Sequence, residues 1–181
     1  MKKIFFVLSL VFTSIISQAQ FSSANLTAAG LTCAMCTKAI YNALEKMPFI
    51  SKVDADINNS AFVLTFKEGA AVDPDALKNA VEDAGFSVAR LTMNGNFGNV
   101  TLQNDTHLKL GGKTFHFVDA NGKTLHGNGS VKLVDKDFVS AKEFKKYKAA
   151  TDLSCIETGK AAKCCAKDGI AHNARIYHVT L

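Results

Sequence analysis

GLTCAMCTKAIYNALEKMP, residues 30 to 48, carries two cysteines three positions apart directly into an amphipathic run. From Cys36 to Met47, the residues Ala39, Ile40, Ala43, Leu44 and Met47 fall on one helical stripe, and Pro48 stops the pattern. Upstream, ANLTAAG (24–30) reads as a strand. Downstream, Val53, Ala55 and Ile57 alternate with Lys52, Asp54 and Asp56, the signature of a half-buried strand. Asn58-Asn59-Ser60 then makes a tight turn, and AFVLTF (61–66) returns as the second arm of a hairpin. Asp73-Pro74 opens a second helix with a capping carboxylate and a proline at the first helical position. Leu77, Ala80, Val81 and Ala84 share one face of it, Gly85 ends it, and FSVARL (86–91) is a last strand. Strand, helix, strand, strand, helix, strand predicts an α+β fold, a ferredoxin-like βαββαβ sandwich with both helices on one side of an antiparallel sheet.

Outside this unit the chain reads in three further pieces. Residues 1–19, MKKIFFVLSLVFTSIISQA, have a basic start, an apolar middle and a small-residue end, which marks an export signal and places the mature chain in a periplasm or outside the cell. The apolar run is shorter than the roughly 20 residues of a spanning helix, so no stable membrane insertion is expected once it is removed. With 1–19 as signal and 20–92 as the sandwich, residues 93–98, containing Asn94-Gly95 and Gly98, read as a linker. In 99–181, NVTLQN, HLKL, KTFHFV, SVKLVD and ARIYHVTL read as strands, Gly111-Gly112 and Ala120-Asn121-Gly122 as turns, the latter a hairpin turn. Ser140-Ala-Lys-Glu143 is a capping box that opens one helix. The expectation for 99–181 is a small, mostly antiparallel β domain with one helix, or a partly open barrel. Charge supports two units: six basic against eight acidic residues in 20–92, thirteen against eight in 93–181. Lys142, Lys145, Lys146 and Lys148 form a solvated helix face, and export excludes nucleic acid as a partner.

Each chemistry open to Cys33-x-x-Cys36 has further requirements. A c-type haem needs histidine after the second cysteine, where Thr37 stands. Structural zinc and iron–sulfur sites need more ligands, and residues 37–91 hold no other cysteine and no histidine. A thioredoxin-like couple lacks its tryptophan, and both prolines serve helix boundaries. Two thiolates alone suit the soft d¹⁰ ions Cu(I) and Hg(II). A helix N-terminus, with its free N–H groups, favours the thiolate form. A disulfide formed in an oxidising compartment stays open as the alternative for this pair.

Gly30-Leu31-Thr32-Cys33-Ala34-Met35-Cys36 ahead of an amphipathic helix, with Glu82-Asp83-Ala84-Gly85-Phe86 before the last strand, resembles the heavy-metal-associated domain family over residues 24–91. The resemblance implies metal binding by Cys33 and Cys36, with Leu31 as a buried loop anchor and Phe86 in the loop that closes over the site. It also implies metal-donor or metal-acceptor partners, such as a copper-transporting ATPase or another exported copper protein. The family usually has methionine at the position of Leu31, a near-isosteric exchange. Members tuned to Zn(II), Cd(II) or Pb(II) tend to carry an acidic residue where this chain has Thr32. That ranks Cu(I) first, Hg(II) second and Zn(II) behind. Met35, between the cysteines, reads as an outward-facing surface residue rather than a ligand.

Cys155, Cys164 and Cys165 form a second group, with His172 beside them, that reads either as a metal site or as a disulfide from Cys155 to one of the pair. His178 reads as a surface or internally satisfied residue of the last strand. His107, His116 and His126 would converge only if the sheet register brought them together. The chain as a whole reads as an exported Cu(I) carrier or scavenger, not an enzyme, with an Hg(II) scavenger or a thiol-disulfide oxidoreductase as the alternatives.

Overall fold

A computed structural model describes residues 20–31 and 33–181. The expected signal segment 1–19 and Thr32 lie outside the described residues. Strand β1 (Gln20–Ala29) buries Ala24, Leu26 and Ala28 on one face, as its period of two requires. Helix α1 (Ala34–Glu45) buries Thr37, Ile40 and Leu44, and it begins two residues earlier than the apolar stripe because Cys33 caps it. Strands β2 (Ile50–Asp56) and β3 (Ala61–Phe66) make the expected hairpin, with Phe62, Leu64 and Phe66 facing the core. Ile57, expected inward, is exposed: β2 has a register irregularity between Ile50 and Lys52 and ends before Ile57. Helix α2 (Pro74–Asp83) starts as read, the Asp73 Oδ1 accepting from the N–H groups of Asp75 and Ala76 at 3.0 and 3.4 Å. Gly85, at φ 88°, reverses the chain into β4.

Strand β4 is where the structure departs from the sequence reading. It runs Ser87–Thr101, so residues 93–98, expected as a linker, are part of a strand. Leu91, Met93 and Phe97 are all buried, continuing an alternation that the glycines and asparagines around them obscured. Gly95 lies opposite Gly129 of a later strand, and the ring of Phe97 covers Gly129 so closely that an added Cβ would sit 3.3 Å from Phe97 Cδ2. Gly98, at φ 69°, falls in the register shift between Asn96 and Asn99, a bulge rather than a chain break.

Strands β5 (Thr106–Leu110), β6 (Lys113–Phe117), β7 (Thr124–Leu133) and β8 (Ile176–Thr180) extend the same sheet, in the order β2-β3-β1-β4-β7-β8-β6-β5. It is mixed and open, because β8 pairs parallel to β6 and antiparallel to β7, so no barrel closes. The turn at Asn121-Gly122 is therefore not a hairpin: β6 and β7 are separated by β8. The reason is burial. All five residues of β8 are buried, and a strand hidden on both faces satisfies its backbone with a neighbour at each edge. The expected helix is α3 (Ala141–Lys148), capped by Ser140; a short α4 (Cys155–Thr158) and a 3₁₀ helix (Lys163–Asp168) follow.

Both halves share one apolar core through the aromatic chain Phe97–Phe21–Phe115–Tyr177, with ring centroids 5.4–5.7 Å apart. A polar clamp reinforces it at the start of α2. Arg175 grips Asp75 with two hydrogen bonds, Nε to Oδ2 at 2.8 Å and Nη2 to Oδ1 at 3.0 Å. Tyr177 Oη lies 3.1 Å from both this carboxylate and that of Asp73, its one proton shared between them, and Asp73 also accepts from Lys113 Nζ at 2.8 Å. Partial burial pushes the Asp73 and Asp75 pKa values up, but the bonds and charges of Lys113 and Arg175 outweigh it and hold both below the ordinary carboxylate range. Their stabilisation is complete above the ordinary value of about 3.9 and is lost as pH falls below it, through the depressed folded-state values. Urea denaturation of Arg175→Met should show a loss of about 2 kcal/mol at neutral pH. The same variant should lose less stability than the parent chain between pH 5 and pH 2.

Candidate metal centre

Cys33 stands at the N-cap of α1, with extended backbone (φ −154°, ψ 160°), and its carbonyl accepts from the N–H groups of Cys36 and Thr37 at 3.1 and 3.3 Å. Its sulfur takes the role that a serine or aspartate oxygen usually plays, accepting from Cys36 N at 3.4 Å. The two sulfurs are 2.8 Å apart, in contact but longer than the roughly 2.05 Å of a disulfide bond. Cys33 is exposed and Cys36 partly so. The Cys36 thiol, the Cys36 amide and the Met35 amide, in that order, hold the Cys33 thiol below its ordinary value by donating to its sulfur.

The loop is fixed from below. Gly30 has φ 83°, a conformation few side chains tolerate, and its α-carbon faces the ring of Phe86. Leu31 and Phe86 are both partly buried against the main core, so the expected anchor and the loop after α2 are both in place. Met35 is 75% exposed, facing outward between the two cysteines.

The second cysteine group also comes together. The sulfurs of Cys155, Cys164 and Cys165 lie within 4.8 Å of one another, all five cysteines of the chain being free thiols. His172 does not join them: it is exposed on the loop after the 3₁₀ helix. Three histidines that the sequence reading left apart do. Register sets His107 of β5 opposite His116 of β6, and His116 beside His178 of β8. The Gly111-Gly112 turn was a signal for the first pairing, since a two-residue connection between Leu110 and Lys113 makes 107 and 116 partners. Nothing local announces the second, which depends on β8 arriving from sixty residues downstream. The contrast with the first pair is electrostatic: burial, then the neighbouring sulfurs, push the Cys155 thiol well above its ordinary value, and burial drives His116 down to about 4.

The heavy-metal-associated domain family model matches residues 26–87. The mercuric transport protein periplasmic component of Salmonella typhi is 34% identical over 86 residues, which are 48% of this chain and 93% of that protein. Among solved structures, the CopZ metallochaperone is 25% identical over 38% of this chain and all of its own, with a TM-score of 0.35. Oxidized MerP from Ralstonia metallidurans CH34 is 31% identical over 36% of this chain and 93% of its own, with a TM-score of 0.33. The chain belongs to the heavy-metal-associated domain family through its N-terminal βαββαβ unit.

The thiol chemistry of the loop is directly measurable. Alkylation of Cys33 by iodoacetamide, followed by mass spectrometry across pH, should reach half its maximal rate below the ordinary cysteine value of about 8.5.

Proposed function

We propose that the mature protein is an exported carrier or scavenger that binds one Cu(I) between Cys33 and Cys36 and passes it on by thiolate exchange. The observation that carries this reading is the pair itself: two adjacent sulfurs at a helix start, one exposed and held toward its thiolate form. Two thiolates satisfy a soft d¹⁰ ion of low coordination number. An exposed sulfur lets an incoming thiolate bond the ion before either original bond breaks, so the ion moves without being released to water. Family membership supports a soft metal as cargo. Binding would displace protons from the thiols and so weaken as pH falls. Export to a periplasm rests on the reading of residues 1–19 and agrees with the periplasmic relatives. The partner on this reading is a metal-donor or metal-acceptor protein that docks over Met35, a copper-transporting ATPase domain or another exported copper protein.

Hg(II) is the second reading, favoured by the mercuric transport relatives at 34% identity. It uses the same two sulfurs, which suit a second soft d¹⁰ ion equally. Anaerobic titration of reduced residues 20–181 against a competing Cu(I) chelator should show one tightly held Cu(I) more than the Cys33→Ser/Cys36→Ser variant takes up. An Hg(II) competition that strips this copper and resists re-exchange would assign the site to mercury. Uptake no greater than that of the double-serine variant, for either ion, would remove the carrier reading, and turnover of a disulfide substrate in its place would make the pair an oxidoreductase couple.

A further inference from the structure

The C-terminal half holds a second constellation, separate from the Cys33–Cys36 loop and independent of its function. Cys155, His116 and His178 are fully buried, and the His107 side chain is 3% exposed. Two of the imidazoles are oriented by carboxylates. His116 Nε2 lies 2.8 Å from Asp105 Oδ1, which also accepts from Thr151 Oγ1 at 2.6 Å. His178 Nδ1 lies 2.8 Å from Asp135 Oδ1, and the His178 backbone N–H donates to the other oxygen of that carboxylate at 2.9 Å. With those nitrogens protonated toward the carboxylates, His116 Nδ1 and His178 Nε2 are left as acceptors. Both face Cys155 Sγ, at 3.7 and 3.5 Å. One thiol carries one proton and cannot satisfy two acceptors.

His107 sharpens the imbalance. Its ring stacks on His116 with centroids 4.6 Å apart, yet neither of its nitrogens has a hydrogen bond. Asp168 Oδ2 lies 2.9 Å from His107 Nδ1 as a charge contact, which leaves Nε2 as the nitrogen with no group beside it. A buried imidazole nitrogen with no partner is rare in a folded protein and calls for a missing ligand. One ligand atom each from His107, His116 and Cys155 lies within 4.8 Å of the other two. An ion with bonds of about 2.0–2.3 Å spaces its nitrogen and sulfur ligands roughly 3.5 Å apart. A carboxylate behind a histidine whose other nitrogen faces the ion is the usual outer arrangement of such centres.

We propose that His107, His116 and Cys155 form a buried, three-ligand metal centre for Cu(I), with Asp105 orienting His116 and the Cys155 thiol proton passing, as the ion binds, to His178 Nε2, whose imidazolium Asp135 holds against the bound sulfur. The charge decides the ion. Imidazole and thiolate together suit copper and zinc. One thiolate neutralises Cu(I) fully, whereas Zn(II) would keep a positive charge in a dry site and lack a fourth ligand. Cys165, buried, and Cys164, partly exposed, lie within 4.8 Å of Cys155 and of each other. Cys155, His178 and Asp135 also line up as nucleophile, base and orienting acid would. The sulfur is closed to solvent, however, and no substrate reaches it. Enclosure makes this a retaining centre, the opposite of an exchange loop.

The test uses residues 20–181 with Cys33→Ser and Cys36→Ser in place, so that the loop binds nothing. Anaerobic loading with Cu(I), with a parallel Zn(II) arm, is followed by metal analysis and X-ray absorption at the copper edge. The expected result is one Cu(I) per chain with two nitrogen neighbours and one sulfur. His107→Gln and His116→Gln should each abolish that stoichiometry while circular dichroism stays unchanged, and Cys164→Ser should leave it intact. Asp105→Asn, which keeps the size of the orienting group, should weaken binding about 10- to 100-fold. An all-sulfur environment lost in Cys164→Ser but kept in His107→Gln would overturn the proposal in favour of a three-thiolate site. Zn(II) uptake without Cu(I), or no uptake by a folded chain, would overturn it outright.

Discussion

Backbone hydrogen bonding along β4 is the constraint on which the rest of the molecule depends. Its first ten residues pair with β1 and complete the βαββαβ sandwich, while Thr92–Thr101 pair with β7 on the other edge. Where both pairings overlap, at Thr92–Asn96, the strand is interior to the sheet and its peptide groups are shared between the halves. An edge strand that would otherwise stand open at the end of the sandwich is covered by the chain's own continuation. The aromatic stack from Phe97 to Tyr177 and the clamp of Arg175 on Asp75 then follow from adjacency.

That shared sheet sets two cysteine groups in opposite environments. Cys33 and Cys36 lie on a loop outside the sheet, where amides and a neighbouring thiol lower the cost of a sulfur anion and solvent reaches it. Cys155 opens α4 and faces the β6–β8 pair, where burial, then the neighbouring Cys165 and Cys164 sulfurs, penalise the same anion and two imidazoles lie beside its sulfur. The first arrangement favours exchange. The second favours a group that is enclosed once and kept. Burial, more than ligand identity, separates the two behaviours, since both are built on cysteine.

The N-terminal unit was legible because its signals are local. The stripe from Ala39 to Leu44, the alternation in AFVLTF and the Asp73-Pro74 cap each act within one or two turns of chain, and the order of elements then left one topology. The misreadings share a cause. Residues 93–98 looked like a linker because Asn94, Gly95, Asn96 and Gly98 are turn formers in isolation, and only Phe97 lying over the facing Gly129 shows why they serve as strand. Asn121-Gly122 looked like a hairpin because the intruding β8 lies more than fifty residues further on.

By itself the sequence determined the βαββαβ unit and the placing of the Cys33–Cys36 pair at the start of α1, because each follows from periodicity or capping. The tertiary structure alone decided that the two halves form one sheet, that β8 enters it parallel to β6, and that Cys155 meets three histidines while His172 stays outside. The physical reason is that register between distant strands is set by which faces can be buried together. That choice belongs to the whole core and leaves no mark on the residues on either side of each strand.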